Sequence, residues 1–147
     1  MDVYIVDSNL IFSATLNIKS GIGQFILKSS DNNVSLYAPK YLQTEIERHF
    51  DKIVQRSKLE AEEVRLLINK IYKYITFIND EIIPFEEFVK AMRLVRNIDP
   101  DDVTFVALAN YMDEILWTGD SHLYLGLKKL GYEKIMNFSD IKQMYNL

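Results

Sequence analysis

The chain has 147 residues, of which 48% are apolar and 26% are charged, so its composition excludes a disordered polar chain and predicts one globular domain over residues 1–147. It contains no cysteine, which excludes disulfides and thiolate metal sites and leaves oxygen or imidazole as the ligands for any metal. Its formal charge of −4 argues against a non-specific nucleic-acid coat, because such binding requires a cationic surface.

The first apolar run does not have the pattern of a targeting or membrane-spanning segment. Val3–Phe12 is interrupted by Asp7 and is not preceded by basic residues, unlike a signal peptide or a membrane span. We therefore expect a soluble, cytoplasmic protein with no membrane partner.

Five short apolar segments are predicted to be β-strands. The first of them, Val3–Val6, is an unbroken apolar run, which is typical of a strand that is buried on both faces of a parallel sheet. In chain order, the predicted strands are Val3–Val6, Val34–Ala38, the weaker Ile75–Ile78, Glu114–Thr118 and Lys134–Phe138.

Helical patterns occupy the segments between these strands. Apolar residues recur at helical spacing from 42 to 53, and Ser57–Glu60 resembles a capping box that opens the next helix. Further helices are predicted to begin near Pro84 and to run from Pro100 through Tyr111. Because strands alternate with helices, the crossovers should be right-handed, with a parallel sheet and helices on both of its faces. The predicted fold is α/β.

Two aspartates follow predicted strands that are far apart in the sequence. Asp7 ends the first strand and Asp120 ends the fourth. In open parallel sheets, ligands bind at the carboxyl ends of the strands, where the strand order reverses. Both carboxylates should therefore reach the same edge of the sheet. For either residue alone, a helix cap or a turn is an equally good explanation.

Further acids lie at the start and along the side of predicted helices. Asp99-Pro100-Asp101-Asp102 has the composition of a helix start, with Asp99 as the cap and proline at the first helical position. Three acids exceed what one cap needs, so Asp102 is free to face the sheet edge, while Asp99 and Asp101 are assigned to capping and to the local field. Glu45 borders an apolar helical stripe, a position that also suits a solvated side chain.

Together, these residues resemble the PIN-domain nucleases. The likeness covers nearly the whole chain, and the family's four motifs occur in the expected order. The segments that carry it are Tyr4–Ser13, Tyr41–Ile46, Asp99–Asp102 with the following Phe105, Ala107 and Ala109, and Trp117–Leu123.

The resemblance implies a three-layer α/β/α fold around a mostly parallel sheet of four to five strands, and it implies a set of site residues. The predicted catalytic and metal-binding residues are Asp7, Glu45, Asp102 and Asp120, and the predicted hydroxyl supports are Ser8 and Thr118. Many relatives carry a fifth acid two positions after the last of these aspartates, where this chain has His122. Either four acids suffice, or the histidine takes part in metal binding or proton transfer, or it is a loop or helix-start residue.

The function that the resemblance implies is metal-assisted hydrolysis of RNA by an endoribonuclease that uses Mg²⁺ or Mn²⁺. Small PIN proteins of this size are typically toxins of toxin–antitoxin pairs, so the expected partners are RNA, an antitoxin protein and a second copy of the chain. One alternative is a degenerate PIN domain that binds RNA or a protein without cleavage. A phosphoacceptor receiver domain is disfavoured, because Asp7 has no acidic neighbour after the first strand and Asp120 has no lysine beside it.

Two arginines are predicted to contact the phosphates of bound RNA. Arg93 and Arg96 stand three residues apart on the helix that precedes Asp99, so they share a helix face. The competing interpretation is that both are solvated surface residues, which is the usual state of arginine.

Overall fold

The computed structural model describes residues 1–147 as five parallel strands with helices packed against them. The strands are β1 (Asp2–Val6), β2 (Val34–Pro39), β3 (Ile75–Ile78), β4 (Ile115–Trp117) and β5 (Ile135–Met136). The helices are α1 (Ser8–Leu16), α2 (Gly21–Leu27), α3 (Tyr41–Arg48), α4 (Phe50–Ser57), α5 (Ala61–Tyr72), α6 (Phe85–Val95), α7 (Val103–Met112), α8 (Ser121–Lys129) and α9 (Phe138–Tyr145). Two 3₁₀ turns cover Asp80–Ile82 and Pro100–Asp102.

The strand order β3-β2-β1-β4-β5 shows where the chain reverses direction across the sheet. The chain winds from β1 to β2 and β3 on one side, and then crosses back to lay β4 on the other side of β1, with Val6 opposite Trp117. Right-handed crossovers with this order place helices on both faces, so the predicted three-layer α/β/α architecture is confirmed. The β1–β4 junction is the switch point at which ligand sites form in such sheets.

A core of 33 buried apolar residues surrounds the central strands. Tyr4, Ile5 and Val6 are all buried in β1, as the unbroken apolar run predicts for a strand covered on two sides. On one face, α7 packs against β1, β2 and β4. On the other, the β4 residue Trp117 contacts Phe25 of α2 edge-on, at 5.4 Å between ring centroids.

No single helix is both long and apolar enough to cross a membrane, although α1 and α2 together pass that test on length and composition, with a bend of 106° between them.

Two local predictions are wrong. The predicted strand Lys134–Phe138 is reduced to Ile135–Met136, because Asn137 caps α9 through a reciprocal capping box with Asp140. The predicted capping box at Ser57–Glu60 is also misplaced. Ser57 is the last residue of α4, and the box that opens α5 is formed by Glu60 and Glu63.

Candidate metal centre

An acidic cavity of about 230 Å³ opens at the carboxyl edge of the sheet, beside the ends of β1 and β4. The residues that line it come from four separate parts of the chain. They are Ser8, Asn9, Phe12, Glu45, Ile46, His49, Asp99, Asp101, Asp102 and Asp120. The fold therefore brings together three of the four predicted metal ligands at this surface, and the fourth, Asp7, lies buried next to them.

Asp7 is fixed by hydrogen bonds on both carboxylate oxygens. It is the N-cap of α1, and its Oδ1 accepts from Leu10 N at 3.1 Å and from Gly119 N at 3.4 Å. Its Oδ2 accepts from the Thr118 hydroxyl. Burial raises the pKa of Asp7 to about 6, and these three hydrogen bonds oppose that rise. Its carboxylate is thus held in one orientation at the end of β1.

Thr118 connects the two aspartates at the switch point. Its hydroxyl donates to Asp7 and accepts from Asp120 N at 3.0 Å. Asp120 is the N-cap of α8, where its Oδ1 accepts from the backbone of His122 at 2.9 Å and of Leu123 at 3.3 Å. These two hydrogen bonds are the contacts through which Thr118 would act as the predicted hydroxyl support.

Asp102 is the least compensated acid of the centre. It is 7% exposed, and its Oδ2 is buried with no hydrogen-bond partner. The only other such side-chain atom in the structure is the indole nitrogen of Trp117. Burial and, to a smaller extent, the charges of Asp7, Asp99, Asp120 and Glu45 together raise the pKa of Asp102 to about 8. An oriented oxygen without a donor is an available ligand atom.

Glu45 reaches the cavity from α3. Its Oε1 accepts a hydrogen bond of 2.8 Å from the Ser8 hydroxyl, as the predicted supporting role of Ser8 requires. Burial raises the pKa of Glu45 above its usual value, an effect that the Ser8 hydrogen bond opposes. Ser8 therefore aims the glutamate at the cavity from the first turn of α1.

Asp99 has a second role beyond the helix cap that the sequence predicts. Its Oδ1 does accept from Asp101 N at 3.0 Å, as a cap should. Its carboxylate also stands with those of Asp102 and Asp120 in a cluster whose ligand atoms all lie within 4.8 Å of one another. Because the cap already explains Asp99, the sequence does not signal this second role.

The cavity holds many acids and no arginine or lysine. None of the ion pairs in the structure involves Asp7, Glu45, Asp99, Asp102 or Asp120, and no Lys or Arg lines the cavity. Buried carboxylates are ordinarily paired with a cation or coordinate a metal. Clustered oxygen ligands and one orphaned carboxylate oxygen fit a hard divalent cation such as Mg²⁺ or Mn²⁺.

The remaining predicted residues lie outside this centre. His122 is exposed and contacts Asp120 only through its backbone N–H, which is the geometry of a helix-start residue. Arg93 and Arg96 line a separate, mostly apolar groove on α6 and are exposed. His49, which no sequence motif identified, lines the acidic cavity at the junction of α3 and α4.

Comparisons with known proteins agree with this geometry. The family model described as PIN domain matches residues 5–139. No curated protein sequence matches the chain. Two solved structures share the fold. A chain of VapBC2 from Rickettsia felis, bound to a DNA fragment from the promoter, has 12% identity and a TM-score of 0.68 over 92% of this chain and 98% of that one. PAE2754 from Pyrobaculum aerophilum has 13% identity and a TM-score of 0.70, and the match covers 99% of this chain and 90% of that one.

The family match extends from β1 into the first turn of α9, so it includes all four segments that carry the acids. The chain therefore belongs to the PIN-domain family of nucleases.

Proposed function

We propose that this protein is an endoribonuclease that requires Mg²⁺ or Mn²⁺, and that it acts as the toxin of a toxin–antitoxin pair. The observation that carries the catalytic part is the Oδ2 atom of Asp102, which is buried without a partner in a cavity that contains acids and no arginine or lysine. We propose Asp7, Glu45, Asp102 and Asp120 as the ligand set, with Asp99 as an additional ligand.

The proposed carboxylate ligands are suited to metal-assisted hydrolysis of a phosphodiester bond. A divalent ion held by these carboxylates would acidify a water molecule and offset the charge that develops on the phosphate. Without such an ion, burial and then the charges of the other acids raise the pKa of Asp102 to about 8 and so favour a proton on its carboxyl group. Asp102 would release that proton if a cation took its place.

The neighbouring residues keep the ligands in position. Thr118 holds Asp7 and the backbone of Asp120 together through one hydroxyl, and Ser8 orients Glu45. Such supporting hydrogen bonds fix the direction of ligand lone pairs, and their loss typically lowers metal affinity or activity about 10–100-fold. The chain's own contribution is thus a rigid oxygen cage at the end of β1 and β4.

The toxin part of the proposal is supported by the similarity to VapBC2 from Rickettsia felis, a structure in which those proteins are bound to DNA from their promoter. By analogy, we infer an antitoxin partner for this chain. We also propose a homodimer in the cytoplasm.

Activity assays with purified protein test the proposal directly. The protein is incubated with structured RNA, single-stranded RNA and single-stranded DNA, each in Mn²⁺, in Mg²⁺ and in EDTA. Asp102→Asn removes the orphaned carboxylate, and Asp31→Asn, at an exposed residue outside the cavity, is the matched control. We expect metal-dependent RNA cleavage that is lost only in Asp102→Asn.

Two results would contradict the proposal. Cleavage that persists at the wild-type rate both in EDTA and in Asp102→Asn would show that neither the metal nor the orphaned carboxylate takes part in it. RNA binding without cleavage by the metal-loaded protein would instead favour a degenerate domain that acts as a binding module.

A further inference from the structure

A second cavity, of about 450 Å³, lies between α2 and α9 and shares no residue with the acidic cavity. We call it the α2–α9 cavity. Its volume falls in the range of about 300–1,000 Å³ that is typical of small-molecule sites. The lining residues that bear on its chemistry are Gln24, Phe25, Lys28, Asn32, Phe138 and Lys142.

The charge of this cavity is opposite to that of the acidic cavity. No aspartate or glutamate lines it, and neither Lys28 nor Lys142 forms an ion pair. This is unusual in a chain in which 21 acidic residues outnumber 17 basic ones. Two uncompensated ammonium groups at one concave surface attract anions.

An aromatic ring beside these lysines is fixed by packing. Phe138 stacks on buried Trp117 with 6.4 Å between ring centroids and 28° between planes. The ring also lies so close to the α2 backbone that a Cβ added at Gly21 would stand 2.6 Å from it. Lys142 Nζ is 5.9 Å from the ring centroid. A held ring next to an ammonium group suits a ligand that combines a planar base with a phosphate.

Two amides supply unused hydrogen-bond acceptors at the same surface. Gln24 Nε2 donates to Ile18 O at 3.0 Å, and Asn32 Nδ2 donates to Lys28 O at 3.2 Å. These contacts turn each side-chain oxygen away from the backbone acceptor, so the oxygens are available to base amino groups or to ribose hydroxyls.

We propose that the α2–α9 cavity binds a nucleoside monophosphate, with the base on Phe138 and the phosphate at Lys28 and Lys142. The ligand is either a free mononucleotide or one residue of an RNA strand. Phe138 follows β5 at the same edge of the sheet at which Asp120 follows β4. The site does not depend on the metal centre.

Binding is measured in EDTA, so that a failure of the metal-dependent activity leaves the result unaffected. The fluorescence of Trp117, the only tryptophan, reports ligands that stack on Phe138. The probes are AMP, UMP, ribose 5-phosphate and a short single-stranded oligoribonucleotide. Lys28→Gln/Lys142→Gln removes both charges. Lys70→Gln/Lys129→Gln removes two exposed lysines that line no described cavity and form no ion pair, and serves as the matched control.

We expect saturable binding that weakens roughly tenfold or more in Lys28→Gln/Lys142→Gln and is unchanged in the control. Binding of AMP or UMP alone identifies a free nucleotide as the ligand, and tighter binding of the oligoribonucleotide identifies an RNA strand. Equal affinity of the two double variants overturns the proposal. It is also overturned if ribose 5-phosphate binds as tightly as AMP, or if no probe binds.

Discussion

Asp102→Asn should stabilise the metal-free protein at high pH while it abolishes activity. The pKa of Asp102 rises from 3.8 to about 8 on folding, so between these pH values the folded state binds more protons than the unfolded state. The free energy of unfolding therefore falls as pH rises from about 4 to about 8, and the full penalty is present above that window. Asparagine carries no charge and escapes this penalty.

The size of the effect follows from the same shift. A rise from 3.8 to about 8 corresponds to a destabilisation of about 6 kcal/mol when Asp102 is fully ionised. Even about 2 kcal/mol of relief would raise the Tm of a domain of this size by about 5 °C. We expect the Tm of Asp102→Asn to exceed that of the wild type by at least this amount at about pH 9, and to match it near pH 4.

The assay is thermal unfolding in EDTA across this pH range, with Asp31→Asn as the control for a simple loss of one negative charge. Saturating Mn²⁺ should then raise the Tm of the wild type and leave that of Asp102→Asn nearly unchanged. The reasoning is refuted if Asp102→Asn is less stable than the wild type at high pH, because the carboxylate would then have a compensating partner in the folded protein.

Three further outcomes are expected from the same geometry. Thr118→Val removes the hydroxyl that joins Asp7 to Asp120, so metal-dependent activity should fall about 10–100-fold; unchanged kcat/KM would show that the hydroxyl does not position the site. His122→Ala should retain wild-type activity and metal affinity, since only its backbone contacts Asp120, and a loss of Mn²⁺ binding in calorimetry would contradict this. Millimolar Mg²⁺ or Mn²⁺ should raise the wild-type Tm, because a metal concentration of 100 times Kd adds about 2.7 kcal/mol to the free energy of unfolding; an unchanged Tm would argue against the site.

The sequence predicts the convergence of Asp7 and Asp120 because two simple regularities combine. Unbroken apolar runs locate the buried strands, and parallel strands present their carboxyl ends at one edge. The structure places both residues there, next to the paired positions Val6 and Trp117. Glu45 lies near the same edge, because its helix α3 begins only two residues after β2 ends there.

Other features depend on contacts that local patterns do not encode. His49 lines the acidic cavity only because α3 and α4 meet at that point, and neither helix has a motif that marks it. Asp99 satisfies its local role as a cap, so its approach to the other carboxylates becomes visible only in three dimensions. The predicted last strand reached Phe138 because that residue is apolar. In the structure the strand ends at Met136, because Asn137 caps α9.

The contrast between Asp7 and Asp102 indicates how one cluster divides its roles. Both carboxyl groups are buried, but Asp7 accepts three hydrogen bonds, whereas Oδ2 of Asp102 accepts none. Burial without compensation costs stability that a better-packed residue would not lose. Asp7 can therefore hold its charge and its direction before any cation arrives, while Asp102 would gain its compensation only from a bound cation. Under the proposed function, the stability lost at Asp102 would be recovered when the metal binds, and this recovery would add to the affinity of the site for metal.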